Sequence, residues 1–184
     1  MELADCGIVT ERRPDGTNPI GTTFQNKTTI RVFKELHHFT GVSSFEAYAF
    51  NGCTNLVELI VPGTVKRFVN DCFQNCTNLV SLTIEEGLTT CGNTTRMFAY
   101  DNKLKCLVFP TTLTSFGNFG FWAYCNVKWP VVFKSTTPVS GKTMTDSNVA
   151  GTIYVPDIAL SAYQTAWSYT GTKLKPLSQC PVDI

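Results

Sequence analysis

The 184-residue chain is poor in charge: 16% of its residues are Asp, Glu, Lys or Arg, and the formal net charge is +1. No field of one sign is available to draw in nucleic acid or an anionic membrane. No run of about 18 apolar residues occurs, so no helical membrane span is expected. The start, Met1-Glu-Leu-Ala-Asp-Cys, lacks the basic and apolar stretches of a signal peptide. Either the protein stays inside the cell, or the chain is a fragment or a mature form. Two histidines are present, His37 and His38, and no CxxC, HExxH, GxSxG or P-loop. Their absence removes thioredoxin-type, zinc-protease, α/β-hydrolase and nucleotide-phosphate chemistry from first consideration.

What is present is polar but uncharged. Thr, Asn, Ser and Gly fill the polar positions, which suits strands and turns more than helices. Aromatics make up 12%, and the 13 Phe predict layered packing of large rings. The informative feature is a repeat. Phe50-Asn-Gly-Cys-Thr-Asn-Leu-Val-Glu-Leu-Ile-Val recurs 23 residues later as Phe73-Gln-Asn-Cys-Thr-Asn-Leu-Val-Ser-Leu-Thr-Ile, and 25 residues after that as Phe98-Ala-Tyr-Asp-Asn-Lys-Leu-Lys-Cys-Leu-Val-Phe. Self-similarity at this period predicts a solenoid, with one short strand per unit of about 23 residues joining a parallel sheet.

Each strand reads L-x-x-L-x-[VI]: Leu56, Leu59, Val61; Leu79, Leu82, Ile84; Leu104, Leu107, Phe109. The last two positions alternate, so they point inward. Turns follow at Pro62-Gly-Thr, Glu85-Glu-Gly and Pro110-Thr-Thr. An irregular return segment then carries V-x-x-F-x-x-x-x-F, seen as Val42, Phe45, Phe50, as Val65, Phe68, Phe73 and as Leu113, Phe116, Phe121. The intervening copy, Leu88, Cys91, Phe98, holds two extra residues around Asn93-Thr-Thr, expected to bulge without breaking the stack. Ahead of the full copies, a half-unit aligns Leu36 and His38 with Leu59 and Val61. After them, a divergent unit runs from Trp122 to Phe133; its Pro130 suits an edge or bulged strand.

The eight cysteines invite a disulfide framework, but the repeat argues for thiols. Cys53, Cys76 and Cys125 share one repeat position and should stack as small buried residues, and Cys91 occupies a phenylalanine slot. Cys72-x-x-x-Cys76 lacks further ligands for a metal site.

A solenoid needs its ends covered. Residues 1–32 are expected to cap the first turn, 33–134 to form the repeats and 135–184 to form a C-terminal α/β cap. In that cap Thr152-Ile-Tyr-Val-Pro reads as a strand, Asp157 as the N-cap of a helix through Trp167, and Lys173-Leu-Lys-Pro-Leu as a last strand. The helix would bury Ile158, Ala162, Tyr163, Ala166 and Trp167. Trp122, Trp129 and Trp167 would close over the last repeat.

Phe50-Asn-Gly-Cys-Thr-Asn-Leu and Phe73-Gln-Asn-Cys-Thr-Asn-Leu, with the V-x-x-F segments after them, resemble the BspA-type leucine-rich repeats of bacterial cell-surface proteins. The lead-in Phe33-Lys-Glu-Leu-His-His-Phe-Thr-Gly-Val and the ending Ile153-Tyr-Val-Pro-Asp with Lys173-Leu-Lys-Pro-Leu are similar to the flanks of such arrays. The likeness spans residues 20 to 178. It implies display at a cell surface or secretion, and a role in adhesion or ligand binding. Some relatives carry a calcium-binding segment before the repeats; here Pro14-Asp-Gly-Thr-Asn lacks that ligand spacing.

No catalytic residue, cofactor or metal is expected. His38, aligned with inward Val61, reads as a cap histidine, and Glu85 with Glu86 as a solvated turn rather than a carboxylate pair across a cleft. Asn26, Asn75 and Asn93 head N-x-[ST] triplets, and Asn75 has a structural reason to lie in its turn. Strand alternation places His37, Ile60, Thr83, Val108 and Val132 in one outward row, beside a row of Glu35, Glu58, Ser81 and Cys106. The candidate ligand-binding residues are His37, Ile60, Thr83, Val108, Val132, Glu58 and Ser81, since contiguous apolar surface marks contact sites. Three readings follow: a non-enzymatic adhesion module for a protein or glycan, with no nucleic acid partner and no membrane insertion; a spacer without its own ligand; and a hydrolase, for which no constellation is visible.

Overall fold

The computed structural model describes residues 19–92, 96–117, 129–141 and 151–184. Most units bear two strands, so two ladders run side by side along the stack. The return segments supply β1 (Pro19–Ile20), β3 (Ser44–Phe45), β5 (Arg67–Phe68), β7 (Thr90–Cys91) and β9 (Ser115–Phe116), which pair in that order. The leucine segments supply β2 (Val32–Phe33), β4 (Glu58–Val61) and β6 (Ser81–Ile84) in one sheet. A second sheet joins β8 (Leu107–Phe109), β10 (Val131–Phe133), β11 (Ile153–Val155) and β12 (Leu174–Pro176). All pairings are parallel, and the return segments are thus more regular than their sequence suggests.

Register follows the repeat. Phe68 pairs with Phe45 on one side and Cys91 on the other, and Cys91 pairs with Phe116. Residues 93–95, around which the two extra residues fall, lie outside the described residues, yet Cys91 pairs with both Phe68 and Phe116. Parallel strands sit about 4.8 Å apart, so equivalent rings stack at a similar interval. Phe24, Phe50, Phe73 and Phe98 form a column with centroids 5.0, 5.8 and 5.3 Å apart and planes within 11° of parallel. Phe45 and Phe68 start a second column at 5.4 Å, meeting the first edge-on. Trp129 closes the first column against Phe98.

The left-handed residues repeat as well. Asn26, Gly52, Asn75 and Tyr100 have φ of 59°, 73°, 65° and 70°. This turn lets each amide reach the next unit: Asn26 N donates to Asn51 O, Gly52 N to Gln74 O and Asn75 N to Ala99 O, at 2.8 to 2.9 Å. Left-handed backbone in a tyrosine is uncommon, and Tyr100 keeps the conformation of its repeat equivalents.

The first unit differs from the sequence reading. Phe33, not Leu36, pairs beside Leu59, and Val32 pairs beside Glu58. A degenerate copy therefore spans Phe24-Gln-Asn-Lys-Thr-Thr-Ile-Arg-Val-Phe, with Phe24, Ile30 and Phe33 in the slots of Phe50, Leu56 and Leu59. Lys34–His38 forms a 3₁₀ turn that buries Leu36 and leaves His38 exposed, so His38 is not an inward strand residue. Pro130 is not on an edge either: it precedes β10, which is paired on both sides. Proline is tolerated there because its missing N–H falls before the ladder begins.

In the C-terminal part, Asp157 opens a 3₁₀ turn (Asp157–Ala159) ahead of α1 (Leu160–Ala166) and caps neither. Its carboxylate accepts from Ser178 N at 3.0 Å instead, tying the terminal turn to the helix start. The buried stripe is Ala159, Tyr163 and Trp167, and Ile158 is 88% exposed, so the expected face was rotated. Trp167 Nε1 donates to Val139 O at 2.7 Å, and Tyr163 Oη to Ser135 O at 3.1 Å, which satisfies both polar atoms within the apolar cap. Trp122 and Phe121 lie outside the described residues.

Six cysteines are described, all free thiols. Cys53 Sγ donates to Phe24 O at 2.9 Å and Cys76 Sγ to Phe50 O at 3.2 Å, each reaching back one unit. The stacked-thiol expectation holds for these two; Cys125 lies outside the described residues. Between Cys76 and Cys125 the repeat position is taken by Asp101. Its side chain is fully buried near the Cys76 amide, and neither carboxyl oxygen has a hydrogen-bond partner among the described residues. Burial holds its acid well above the usual carboxylate range.

Two expectations follow. Phe73 sits between Phe50 and Phe98 and against Phe45 and Phe68. Phe73→Ala should cost about 3–5 kcal/mol in denaturant unfolding; a loss under about 1 kcal/mol would show that the column is not a main source of stability. For Asp101, the folded acid keeps its proton after the unfolded one has lost it near pH ~3.9. Stability should therefore decline as pH rises above that value towards the folded pKa. Asp101→Asn should remove the decline and raise the neutral-pH melting point, by about 1–3 kcal/mol equivalent. Matching pH profiles for the two proteins would contradict the buried neutral acid.

Candidate functional site

The inward positions of β4 and β6, Leu59, Val61 and Leu82, are buried. Alternation then forces Glu58, Ile60, Ser81 and Thr83 to the other face. Register brings Glu58 beside Ser81 and Ile60 beside Thr83. The first three are half-buried and Thr83 is exposed. Val32, 49% exposed beside Glu58, extends this face by one strand and was missed because the first unit was aligned on Leu36. The signal was there: Phe24, Ile30 and Phe33 keep the spacing of Phe50, Leu56 and Leu59.

His37 is not in the strand row. It projects from the 3₁₀ turn, and its Nδ1 lies 3.5 Å from Glu85 Oε1 at the end of β6. Lys34, on the same turn, pairs with Glu58 at 3.1 Å. Both contacts are solvent-screened and stabilise little, but they lean the turn over one rim of the face.

The second sheet is different. Val108, Val132, Tyr154 and Lys175 form the continuing row. Val132 is 0% exposed, so it is unavailable to a ligand; Val108 is half-buried. The 3₁₀ turn Leu177–Gln179 packs against β11, and Cys180 after it lies within electrostatic reach of Cys106 and Tyr154. The terminal segment thus folds onto this half of the outward surface. β8 lies beside β6, and Lys105 N donates to Val80 O at 3.3 Å ahead of the two strands. The predicted row is thus accessible at Ile60 and Thr83 and buried at Val132.

The turn carboxylates work within the structure. Glu85 Oε2 accepts from Gly63 N at 3.0 Å, back one unit. Glu86 reaches forward, accepting from Thr111 N at 3.1 Å, Thr111 Oγ1 at 2.8 Å and Thr112 N at 3.3 Å. Desolvation opposes its charge, but those donors win and hold its acid below the usual range. Gly63 and Gly87 lie where these turns touch: a Cβ on Gly87, at φ +144°, would strike Gly63 O.

Among the described residues, no cysteine thiol is hydrogen-bonded to a histidine or carboxylate. Burial pushes Cys53 up to about 11 and raises Cys72, Cys76 and Cys91 well above the usual thiol range, which disfavours the nucleophilic thiolate. Cys106 is pushed up to about 12, by desolvation first and Cys180 second. Among the described residues, no three His, Cys, Asp or Glu side chains converge as a metal site, and no helix is long and apolar enough to cross a membrane.

Stacked short parallel strands with Phe, Cys and Leu at fixed positions match one sequence family. The description "BspA type Leucine rich repeat region" fits residues 22–149 in six copies. The chain belongs to the BspA-type leucine-rich repeat family. No curated protein matches it. The BspA-type repeat is a protein-interaction module, associated with bacterial surface proteins, and the leucine-rich repeat is typically a non-enzymatic interaction fold. Six copies over 22–149 agree with β1 and β2 pairing as repeat strands ahead of Phe33.

The burial pattern predicts an order of thiol reaction. Of the six described cysteines, Cys180 should be alkylated first in the folded protein. Cys53, Cys72, Cys76 and Cys91 should react only on unfolding, as read by peptide mass spectrometry after timed iodoacetamide exposure. Rapid native-state labelling of Cys72 or Cys91 would break the buried assignment and reopen a thiol-nucleophile reading.

Proposed function

We propose that this chain is a non-enzymatic adhesion module, displayed at a cell surface, that offers the open outward face of β2, β4 and β6 to a protein or glycan ligand. The observation that supports this reading is the contrast between the two sheets: Val32, Ile60 and Thr83 are accessible where Val132 is covered. The face mixes apolar area with a charged Lys34–Glu58 pair and the hydroxyls of Ser81 and Thr83. Such mixtures give a ligand both contact area and orientation. Repeats over residues 22–149 fit this role, since stacked units supply the continuous sheet surface that such a module presents.

Screening the chain against glycans and matrix proteins, then repeating with Ile60→Lys plus Thr83→Lys, tests the reading. Binding should fall at least about tenfold, or ~1.4 kcal/mol, with the melting point kept. A ligand held equally well by the double variant would move the site elsewhere. Failure of every ligand class would favour the spacer reading.

A further inference from the structure

His37 and His38 are neighbours in sequence, and the fold turns their rings together. The 3₁₀ turn is pinned on both sides of the pair: Leu36 before it and Phe39 after it are buried, and Phe39 N donates to Leu36 O at 3.0 Å. The ring centroids are 3.7 Å apart, inclined at 63°, and the two Nε2 atoms are 2.8 Å apart. Two nitrogens at that distance must share one proton, since two lone pairs or two N–H groups would repel. Glu85 decides which. Its Oε1 stands 3.5 Å from His37 Nδ1, and its Oε2 is held by Gly63 N. The carboxylate favours the proton on His37 Nδ1, which leaves His37 Nε2 as the acceptor and His38 Nε2–H as the donor.

We propose that His37 Nε2 and His38 Nε2 form a surface chelate for a divalent transition metal of the zinc and copper type. Metal–imidazole bonds are about 2.0–2.1 Å. Two such bonds at right angles separate the nitrogens by about 2.9 Å, and at the tetrahedral angle by about 3.4 Å. The pair is already near the first value, and the exposed His38 ring is free to turn its lone pair towards the same point. The cation replaces the shared proton. Glu85 then acts as the supporting carboxylate that orients a metal-bound histidine through its other nitrogen. With no third side-chain donor converging among the described residues, the remaining positions hold water or a donor from a second molecule. Two neutral imidazoles select Cu²⁺ over Zn²⁺ and give Ca²⁺ or Mg²⁺ no hold. The site stands at the end of β6, on the rim of the face that carries Ile60 and Thr83, but it does not depend on that face binding anything.

The test uses the tag-free full chain with accessible thiols alkylated, so that cysteine does not compete. Calorimetric titration should give one saturable equivalent of Cu²⁺, weaker Zn²⁺ binding and none with Mg²⁺. His37→Ala and His38→Ala should each weaken binding at least tenfold, and Glu85→Gln about tenfold or more. In the unaltered chain, side-chain nitrogen resonances of both histidines should move at Nε2 with one equivalent of Zn²⁺, a readout that needs no variant to fold. Absence of saturable Cu²⁺ and Zn²⁺ binding would overturn the proposal. So would binding that survives in His37→Ala plus His38→Ala, or resonance shifts confined to one ring.

Discussion

The spacing between parallel strands governs this molecule. Once two-residue pairs such as Phe45–Phe68 and Cys91–Phe116 lock in register, each residue type meets its own repeat equivalent about 4.8 Å away. Phenyl rings tolerate that interval when stacked, as the 5.0 to 5.8 Å column shows. Thiols tolerate it because they are small and their single donor finds a carbonyl one unit back. Amides of left-handed residues find theirs one unit ahead. Few contacts in the stack are independent of one another, so a change in any column is felt in the units on both sides.

Asp101 exposes the cost of that rule. A carboxyl in a slot sized for a thiol carries twice the acceptors and, when ionised, no donor. The stack has no room to rearrange around one copy, so the acid is held neutral instead. The turns show the opposite case. Glu85 and Glu86 are neighbours in sequence, yet one is bound back to Gly63 and the other forward to Thr111. At the stack's edge, backbone and hydroxyl donors from Thr111 and Thr112 favour the charged form of Glu86.

The core columns were legible in the sequence because packing makes their residues recur: Phe50, Phe73 and Phe98, and Leu59, Leu82 and Leu107, were placed correctly from spacing. Errors arose where recurrence is weak. Phe24 to Phe33 keeps the spacing but replaces Leu by Ile and Phe and Cys by Lys, and the nearby Leu36 drew the alignment away. Helix α1 follows no repeat, so its buried stripe rested on periodicity over seven residues. A seven-residue window fits more than one face, and Ile158 was assigned to the wrong one. Asp157 carries the composition of an N-cap, but Ser178, 21 positions on, claims its carboxylate. Local sequence does not record so distant a partner.

The candidate site was half legible for a related reason. Alternation within a strand decides which side chains leave the core, and it did so correctly for Glu58, Ile60, Ser81 and Thr83. It does not decide what later covers them. Val132 obeys the same alternation as Val108 and is still fully buried. Over β10 and β11 the outward row, with Val132 and Tyr154, is buried and becomes part of the fold. Over β4 and β6 nothing in the stack dictates the outward residue, and equivalent positions diverge: Glu58 against Ser81, Ile60 against Thr83. Divergence released from packing is the condition under which a repeat surface acquires individual recognition, and in this chain it coincides with the half-buried and exposed positions of β4 and β6.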